Sequence, residues 1–411
     1  MRTRQRSQSL TPQTRLPFRR LSWLLLILLA TLPGTQEAST SAQGQTSDRR
    51  FTESLKFQEI EPGIEYGQAA VGQASKDERT GPWFINVLRI DLTRATLKVV
   101  HALDEGVGLE TVSSMAARHG AAAATNGGYF IVNGTYRGEN LGLLVLDGKL
   151  ISEPYNDREE FGLINNRATT DVVFGHLKYS GEISVDSLKR DVQGVNRALS
   201  PEDLVLFTPE FHRTTLTDPG GIEVIVRRGR VSAIRDLKGS SEIPSDGYVI
   251  AANGKSREWV KEHLHQGSRL NYSWRLNSID RGGDEKWQRA STILGAGPQL
   301  IKDGKIAITN VQEKITPAFV NDGHPRTAVA RLASGKLLLV TVDGRQPSES
   351  IGMSLTLLAD LLLELGAVEA MNLDGGGSTT MVVHDKVANK PSDQGGERPV
   401  SDAILVFSKP K

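Results

Sequence analysis

Short apolar runs rich in β-branched residues recur along the chain and predict a fold dominated by strands. The clearest of these runs are residues 83–90, 95–101, 221–226, 336–342 and 403–407. Four chain reversals beside such runs place a glycine among polar residues, which is typical of tight hairpin turns with positive φ. These glycines are Gly148, Gly229, Gly304 and Gly335. The pattern therefore predicts largely antiparallel pairing of strands.

Three stretches have helical periodicity instead. They are residues 110–119, which stop before Gly120, residues 256–266, which Ser256 would cap, and residues 354–365. The third stretch has leucines at helical spacing, which we interpret as core packing and not as a ligand site. Helices are few and no regular β-α-β rhythm is present. The expected fold class is α+β, with a mixed, largely antiparallel sheet core, few helices and multiple hairpins.

The first fifty residues differ in composition from the rest. Residues 1–20 contain six arginines and no acidic residue, and the apolar run 21–32 follows directly. This run is short for a membrane span, which needs about 20 residues, but it has the length and flanks of a signal-peptide core. We expect residues 1–37 to be a signal peptide or N-terminal anchor, 38–50 a flexible linker and 51–411 one folded domain. The protein is thus expected to be exported, and to be secreted, periplasmic or associated with the cell envelope.

Composition excludes several classes of function. The formal net charge of the 411 residues is only +1, whereas charge-driven binding of nucleic acid needs a strong basic excess. No nucleic-acid partner is expected, and a membrane contact is expected only through an uncleaved N-terminal anchor. The chain has no cysteine, which excludes cysteine nucleophiles, thiolate metal sites and disulfides.

The first concentration of polar residues follows the apolar run 121–125. There Asn126 and Tyr129 flank the two glycines Gly127 and Gly128, so that the backbone can turn sharply and present its amides. The alternative is an ordinary structural Asn-Gly turn.

The second concentration joins two strand ends. Arg326 enters an apolar strand directly after Pro325, where an unpaired guanidinium would be costly, so it needs an anion from the protein or the substrate. Asp343 ends another apolar strand, and Arg345 follows it through one glycine. The alternative to a phosphate site is a structural salt bridge between Arg326 and Asp343.

The third concentration follows the apolar run 367–373. It consists of Asp374, the glycines Gly375, Gly376 and Gly377, and the hydroxyl residues Ser378 and Thr379. Three consecutive glycines cost backbone entropy that a simple hairpin does not require. Their value is close approach, because an oxyanion can lie against exposed amides. No Gly-Lys-Ser/Thr sequence closes the turn, so it is not a Walker loop.

Taken together, these segments resemble the phosphodiester glycosidase family. The motifs, in the order expected of that family, are Asn126-Gly127-Gly128-Tyr129-Phe130, Gly297-Pro298, Pro325-Arg326-Thr327-Ala328, Asp343-Gly344-Arg345, Ser350-Ile351-Gly352-Met353 and Asn372-Leu373-Asp374-Gly375-Gly376-Gly377-Ser378. The resemblance spans roughly residues 95–407. One departure is Ala330, where the family pattern leads us to expect glycine.

The resemblance implies that residues 51–411 form a catalytic domain, with 171–290 a β-rich insertion that shapes the pocket. The reaction it implies is hydrolysis of the bond between a sugar's anomeric carbon and a bridging phosphate. The substrate would be a sugar-1-phosphodiester or phosphorylated glycan of the cell envelope or of an exopolysaccharide. The expected catalytic residues are Asp374, Asp343 and Arg326, and the expected substrate-binding residues are Asn126, Gly127, Tyr129, Thr327, Arg345, Gly375, Gly376, Gly377, Ser378 and Thr379.

Such a phosphate leaves as a weak base, so stabilisation of its charge should matter more than a general acid. No cofactor is expected to be required, although the carboxylates are compatible with Ca²⁺ or Mg²⁺. Two alternatives stay open. One is a phosphodiesterase acting on teichoic-acid-like polymers. The other is a non-catalytic envelope protein that binds phosphorylated glycans, for which the paired aspartates would have less use.

Overall fold

The structure, a computed structural model, describes residues 51–73, 80–166, 169–280 and 284–410. The expected signal or anchor segment (1–37) and the linker (38–50) lie outside these residues. Within the described part of the chain, no helix combines the length and the apolar character needed to span a bilayer.

Strands dominate the described residues. In chain order they are β1 (Lys56–Glu61), β2 (Ile64–Val71), β3 (Trp83–Ile90), β4 (Ala95–His101), β5 (Ala123–Asn126), β6 (Leu144–Leu146), β7 (Lys149–Ser152), β8 (Glu159–Asn165), β9 (Thr170–Val185), β10 (Leu188–Val192), β11 (Gly194–Val195), β12 (Leu204–Phe207), β13 (Ile222–Arg227), β14 (Arg230–Asp236), β15 (Gly247–Ala252), β16 (Leu270–Ser278), β17 (Thr292–Gly295), β18 (Gln299–Lys302), β19 (Lys305–Ile306), β20 (Arg326–Leu332), β21 (Leu337–Val342), β22 (Ala367–Asn372), β23 (Met381–Val383), β24 (Lys386–Val387) and β25 (Asp402–Ser408). The helices are α1 (Val112–His119), α2 (Gly254–His263), α3 (Asp284–Arg289), α4 (Pro317–Asn321) and α5 (Leu355–Glu364). The expected α+β class is confirmed.

The strands form four sheets among the described residues. Their orders are β1-β2-β3-β21-β20-β22-β18-β19, then β10-β9-β8-β17-β6-β7 with β16 also on β9, then β11-β12-β15-β13-β14, and finally β24-β23-β5-β25-β4. The pairs are antiparallel except β11 with β12. Mostly antiparallel pairing is what the four glycine hairpins predicted.

All four predicted hairpins form, and the glycine in each turn has a positive φ, as expected. The values are 79° at Gly148, 71° at Gly229, 69° at Gly304 and 83° at Gly335. These turns join β6 to β7, β13 to β14, β18 to β19 and β20 to β21. The first three are two-residue turns, which fix the register of their strands, whereas the Gly335 turn spans residues 333–336.

The three predicted helices also form, but α1 begins two residues later than expected, and α2 begins two residues and ends three residues earlier than expected. Helix α1 is capped by Thr111 and α5 by Ser354, whose hydroxyl accepts from the amide of Leu357 at 3.2 Å. Helix α2 begins at Gly254, so Ser256 lies within its first turn and is not the cap. The Ser256 hydroxyl donates instead to the main-chain oxygen of Glu202 at 2.6 Å, a partner that only the tertiary fold supplies.

The core fills the space between sheets and beside the helices. One cluster lies between the first, second and fourth sheets and contains Leu88, Phe161, Met371 and Ile404. In a second cluster α5 packs its leucines on the first sheet, as the leucine spacing predicted. Burying this apolar surface stabilises the fold by about 25 cal/mol per Å².

Two sheets direct their strand ends toward one place. In the first sheet, antiparallel pairing puts the start of β20 beside the end of β21 and near the end of β22. In the fourth sheet, the end of β5 lies beside the starts of β23 and β25. The polar residues that follow or begin these strands therefore meet, although they are distant in the sequence.

Candidate active site

A pocket of about 200 Å³ opens where these strand ends meet. It is lined by Phe319, His324, Arg326, Arg345, Asp374, Gly375, Gly376, Gly377 and Arg398. Six of these nine residues belong to the site expected from the sequence, namely Arg326, Arg345, Asp374 and the three glycines. His324, Phe319 and Arg398 are additions.

Arg326 is fully buried at the start of β20. Its Nε donates to the Met353 oxygen at 2.8 Å, and its Nη2 donates to the oxygens of Phe319 (2.7 Å) and Asp322 (3.0 Å). Its Nη1 has no hydrogen-bond partner among the described residues. Burial lowers its pKa to about 10, so the guanidinium stays charged at neutral pH.

The described residues contain no salt bridge between Arg326 and Asp343. Carbonyl oxygens hold the guanidinium in place but do not neutralise it. A buried cation with one unused N–H group is suited to an external anion.

Asp374 lies directly after the end of β22 and lines the pocket. Its Oδ1 accepts from the amide of Gly375 at 2.9 Å, and the Ser378 hydroxyl also lowers the pKa of the carboxyl. Burial acts in the opposite direction and dominates, so the pKa is raised to about 6. Such a carboxyl is ionised at neutral pH and gains a proton in mild acid.

The three glycines are explained by crowding as well as by ligand access. A Cβ on Gly375 would lie 2.7 Å from the Pro325 oxygen, and one on Gly377 would lie 2.1 Å from Nη2 of Arg398. Gly376 has a φ of 61°, and its amide donates to the Pro325 oxygen at 2.9 Å. The amides of Gly375 and Gly376 thus bond within the protein, which leaves Gly377 as the candidate amide donor to a ligand.

Three further polar side chains line the pocket, two of them cationic and one a neutral imidazole. Arg345 is exposed, and its Nη1 donates to the Ser392 hydroxyl at 3.4 Å. Arg398 pairs with Asp393 through bonds of 2.7 and 3.1 Å. Burial, followed by repulsion from Arg326 and Arg345, lowers the pKa of His324, so its imidazole is neutral at neutral pH.

Asn126 and Thr327 lie behind the pocket. The Asn126 amide group donates to the Asp374 main-chain oxygen at 2.7 Å. Its Oδ1 accepts from the Thr327 hydroxyl at 2.8 Å and from the Thr380 amide at 3.1 Å. These buried bonds fix the backbone on both sides of the glycines, and they use both acceptor positions of the Asn126 oxygen and one of its two amide N–H groups.

Tyr129 and Gly127 also support the pocket from behind. The Tyr129 hydroxyl donates to the Gly297 oxygen at 2.8 Å and accepts from Asn372 at 2.9 Å, while its ring lies against Phe319. The Gly127 oxygen accepts from the Asp374 amide at 3.0 Å. Ser378 and Thr379 are buried next to the glycines and are not among the lining residues.

Asp343 is placed close to the glycine turn but does not line the pocket. Its Oδ1 accepts from Asn389 at 2.9 Å, and its Oδ2 accepts from the Lys390 amide at 2.9 Å. Asn389 in turn donates to the Thr379 oxygen at 3.0 Å. Asp343 therefore fixes the backbone that follows the glycines, and burial raises its pKa to about 6.

Asp402 was not expected from the sequence. This buried residue begins β25, and its Oδ1 accepts from the Gly128 amide at 2.7 Å. A Cβ on Gly127 would lie 2.0 Å from the same oxygen, which explains why glycine occupies position 127. Its position at the start of an apolar strand is the signal that could have identified it, as it identified Arg326.

None of the lining residues falls within 171–290. The lining residues therefore give no support to the expectation that residues 171–290 shape this pocket. No group of three or more Asp, Glu or His side chains placed to hold a metal ion occurs among the described residues. The arrangement thus presents several cations, one carboxylate and one neutral imidazole in a small pocket, which suits an anionic group next to a reacting carbon.

Residues 220–407 match the model of the family described as phosphodiester glycosidase, which confirms the resemblance noted in the sequence. The chain is 37% identical over 117 residues, 28% of its length, to the prophage-derived uncharacterized protein YomE of Bacillus subtilis. It is 45% identical over 75 residues, 18% of its length, to N-acetylglucosamine-1-phosphodiester alpha-N-acetylglucosaminidase of Bos taurus. These alignments span only 17% and 14% of the two curated relatives.

Solved structures share the fold over most of the chain. A hypothetical protein from Synechocystis has a TM-score of 0.73 at 25% identity, covering 86% of this chain and 64% of that one. A candidate exported protein from Burkholderia pseudomallei has a TM-score of 0.76 at 24% identity, covering 86% and 96%.

Proposed function

We propose that this chain, whose residues 220–407 match the phosphodiester glycosidase family model, hydrolyses the bond between a sugar's anomeric carbon and a bridging phosphate. The observation that supports this proposal most is the pocket in which Arg326, Arg345 and Arg398 surround Asp374. Arginines are suited to a phosphodiester anion, and a carboxylate is suited to the positive charge that develops at an anomeric carbon.

The phosphate is held by the arginines. Arg326 offers the unused Nη1, Arg345 is exposed to an incoming ligand, and Gly377 offers a main-chain amide. As the bond between the anomeric carbon and the phosphate oxygen breaks, the electron pair stays on that oxygen and the leaving group becomes a phosphate monoester. The added negative charge strengthens its interaction with fixed cations, so these donors stabilise the transition state more than the bound substrate.

Asp374 acts at the anomeric carbon. In its ionised form it stabilises an oxocarbenium-like transition state, and it either attacks the carbon or removes a proton from the attacking water. The oxygen of water ends on the anomeric carbon, and its second proton is released to solvent or to the monoester. The configuration of the first-formed sugar, followed by proton NMR, separates the two routes, since direct attack by water inverts it.

Asp343 and His324 have different roles in this proposal. Asp343 has both oxygens bonded to the 389–390 backbone and side chain, so it positions the glycine turn and does not react. His324 lines the pocket as a neutral imidazole and is able to transfer protons to or from water or phosphate.

We also propose an extracytoplasmic site of action, on phosphorylated glycans of the cell envelope or of exopolysaccharides. The N-terminal arginines followed by the apolar run 21–32 support export. The absence of cysteine is compatible with an oxidising compartment, because the chain has no thiol that could be oxidised there.

The test is turnover of methyl phosphodiesters of glucose, galactose, mannose and N-acetylglucosamine 1-phosphates by the purified full chain. The expected products are the free sugar and methyl phosphate, identified by ³¹P NMR, and Asp374→Asn should form neither. Methanol together with a sugar 1-phosphate would instead identify a phosphodiesterase. Binding of these diesters without any product would identify a non-catalytic protein.

A further inference from the structure

A second cavity, of about 660 Å³, lies apart from the arginine-lined pocket. Its walls come from the 131–139 loop, from residues 153–155 after β7, and from two loops at 197–200 and 216–218. No residue of this cavity belongs to the site expected from the sequence, and it shares no lining residue with the arginine-lined pocket.

Two tyrosines give the cavity flat apolar surfaces. Tyr155 is 43% exposed, and Cζ of Arg158 lies 5.1 Å from its ring centre. Tyr136 is fixed by its hydroxyl, which donates to the Thr215 oxygen at 2.9 Å, and by its ring, which lies 5.8 Å from that of Phe211. Rings held in this way present a pre-ordered face, on which the C–H groups of a sugar ring can pack.

The cavity is lined by more acidic than basic residues. Arg197 is the basic residue in its lining, and it already donates to Glu153 and Asp203, each at 2.6 Å. Glu139 and Asp218 have no ion-pair partner among the described residues. Glu139 is only 7% exposed, yet it belongs to the cavity lining, and burial, followed by the charge of Glu153, raises its pKa to about 8, so it is protonated at neutral pH. A second phosphate is therefore disfavoured here by Asp218, whereas sugar hydroxyl groups can donate to Asp218 and exchange hydrogen bonds with the protonated Glu139.

A series of side-chain contacts connects this cavity to the arginine-lined pocket. Arg158 lies over Tyr155 and also over Tyr129, with Cζ 4.5 Å from the Tyr129 ring centre. The Tyr129 ring is 6.4 Å from that of Phe319, which lines the arginine-lined pocket. A chain of three successive contacts thus joins a cationic site to an acidic, aromatic site.

We propose that the cavity bounded by Tyr136, Glu139, Tyr155 and Asp218 binds uncharged sugar units of a glycan whose phosphodiester occupies the arginine-lined pocket. The preferred substrate is then an oligosaccharide or polysaccharide with a phosphodiester link, which should be hydrolysed with a higher kcat/KM than a small sugar phosphodiester. Only the placement of the phosphodiester in the arginine-lined pocket rests on the proposed function, because binding of a neutral glycan in the cavity requires no turnover.

The test is binding of three neutral trisaccharides, maltotriose, cellotriose and triacetylchitotriose, to the full chain by isothermal titration calorimetry. At least one should bind, and Tyr155→Ala and Glu139→Gln should each weaken that binding about tenfold, which is about 1.4 kcal/mol. Tyr155→Phe keeps the ring and should retain binding. Leu188→Ala, which removes an equally exposed apolar side chain elsewhere (43%), is the matched control.

The kinetic counterpart compares a monosaccharide methyl phosphodiester with the same diester extended by the trisaccharide that binds. The ratio of kcat/KM for the long over the short substrate should fall about tenfold in Tyr155→Ala and stay constant in Leu188→Ala. Melting temperatures verify that the variants are folded.

Absence of binding by all three trisaccharides overturns this proposal, and so does equal weakening by the Leu188 control. Binding that depends on Tyr155 without any turnover overturns the proposed function alone. A trisaccharide phosphate that binds this cavity more tightly than the neutral one, in the Arg345→Ala background, would contradict the acidic character assigned to it.

Discussion

The side-chain amide of Asn126 donates to the main-chain oxygen of Asp374 at 2.7 Å, across 248 positions of sequence. Asn126 ends a strand of the fourth sheet, and Asp374 follows a strand of the first. This bond joins the two sheets at the candidate catalytic residue. The position of the Asp374 carboxylate thus depends on how the two sheets pack together.

Asn126→Ala should therefore reduce both stability and activity. The substitution leaves the Asp374 oxygen and the Thr380 amide without their buried partner, at a cost of about 1–3 kcal/mol for each unsatisfied group. We expect a lower free energy of unfolding in urea and a fall in kcat of more than about tenfold. Thr93→Ala, which removes an exposed local bond, is the control. Unchanged kcat in a folded Asn126 variant would contradict the supporting role.

Asp374→Asn should abolish turnover without loss of stability. A buried carboxyl with a raised pKa destabilises the fold when it ionises, and the amide cannot ionise. We expect turnover to fall by more than about 10³-fold, while the melting temperature at pH 7 is equal to or above that of the wild type. Asp343→Asn is the comparison: it replaces an acceptor of two N–H donors and should lower the melting temperature. If Asp343→Asn abolished turnover and Asp374→Asn lowered the melting temperature instead, Asp343 would be the catalytic aspartate and Asp374 the structural one.

Activity should rise as the pH increases through about 6, because the proposed mechanism requires Asp374 in its ionised form and burial raises its pKa to about 6. The stability contributed by the protonated carboxyl has the opposite sign: it is present below the ordinary pKa of 3.8 and is lost as the pH rises through about 6. The measurement is kcat against pH between 4 and 8. An Arg398→Gln variant should shift the midpoint upward, since Arg398 lowers the pKa of Asp374. A midpoint that does not move would show that the group titrating in the kcat profile is not Asp374.

The arginines should differ in what their loss costs. Arg345 is exposed and has one long hydrogen bond, so Arg345→Ala should raise KM about tenfold without changing the melting temperature. Arg326 is buried and bonds to three carbonyl oxygens, so Arg326→Ala should lower the melting temperature as well as kcat. Lys255→Ala, at an exposed surface position, provides the control for a lost cation. Equal loss of stability in both arginine variants would contradict this distinction.

Glu159→Gln should stabilise the protein at high pH. Both oxygens of Glu159 are buried without a hydrogen-bond partner among the described residues, and Glu313 and Glu160 lie near enough to repel its charge. Burial, reinforced by this repulsion, raises its pKa well above 4.5, so the protonated form is the stable one and stability is lost as the pH rises through that raised value. The melting temperature of the variant should exceed that of the wild type at pH 9 and match it at pH 5. Glu262→Gln on the surface of α2 should show no such difference.

The sequence identified strands and turns well because these depend on local pattern. The glycine hairpins and the leucine stripe of α5 are each encoded by neighbouring residues, and both were confirmed. The start of α2 was wrong because the Ser256 hydroxyl bonds to Glu202, more than fifty positions away. Local pattern contains no information about such a partner.

The site was only partly predictable for the same reason. Polar residues at strand ends indicated Arg326 and Asp374, which line the pocket. Arg398 lies in a segment without an apolar strand to mark it, so only tertiary contact with Gly377 reveals it. The same tertiary contacts distinguish Asp343, whose oxygens are already bonded, from Asp374. Sequence shows which groups are polar but not which of them the fold has already satisfied.

The family match begins at residue 220, but the sheets do not divide there. Strand β21 pairs with β3, and β25 lies between β4 and β5, all three of which precede residue 130. A fragment 220–407 would present unpaired strand edges, which are sites of aggregation. It would also lack Asn126 and the Gly128 amide, which donates a hydrogen bond to the Asp402 carboxylate. The minimal unit for expression and for domain transplantation is consequently the chain from the first strand to the last, and not the segment that carries the sequence signature.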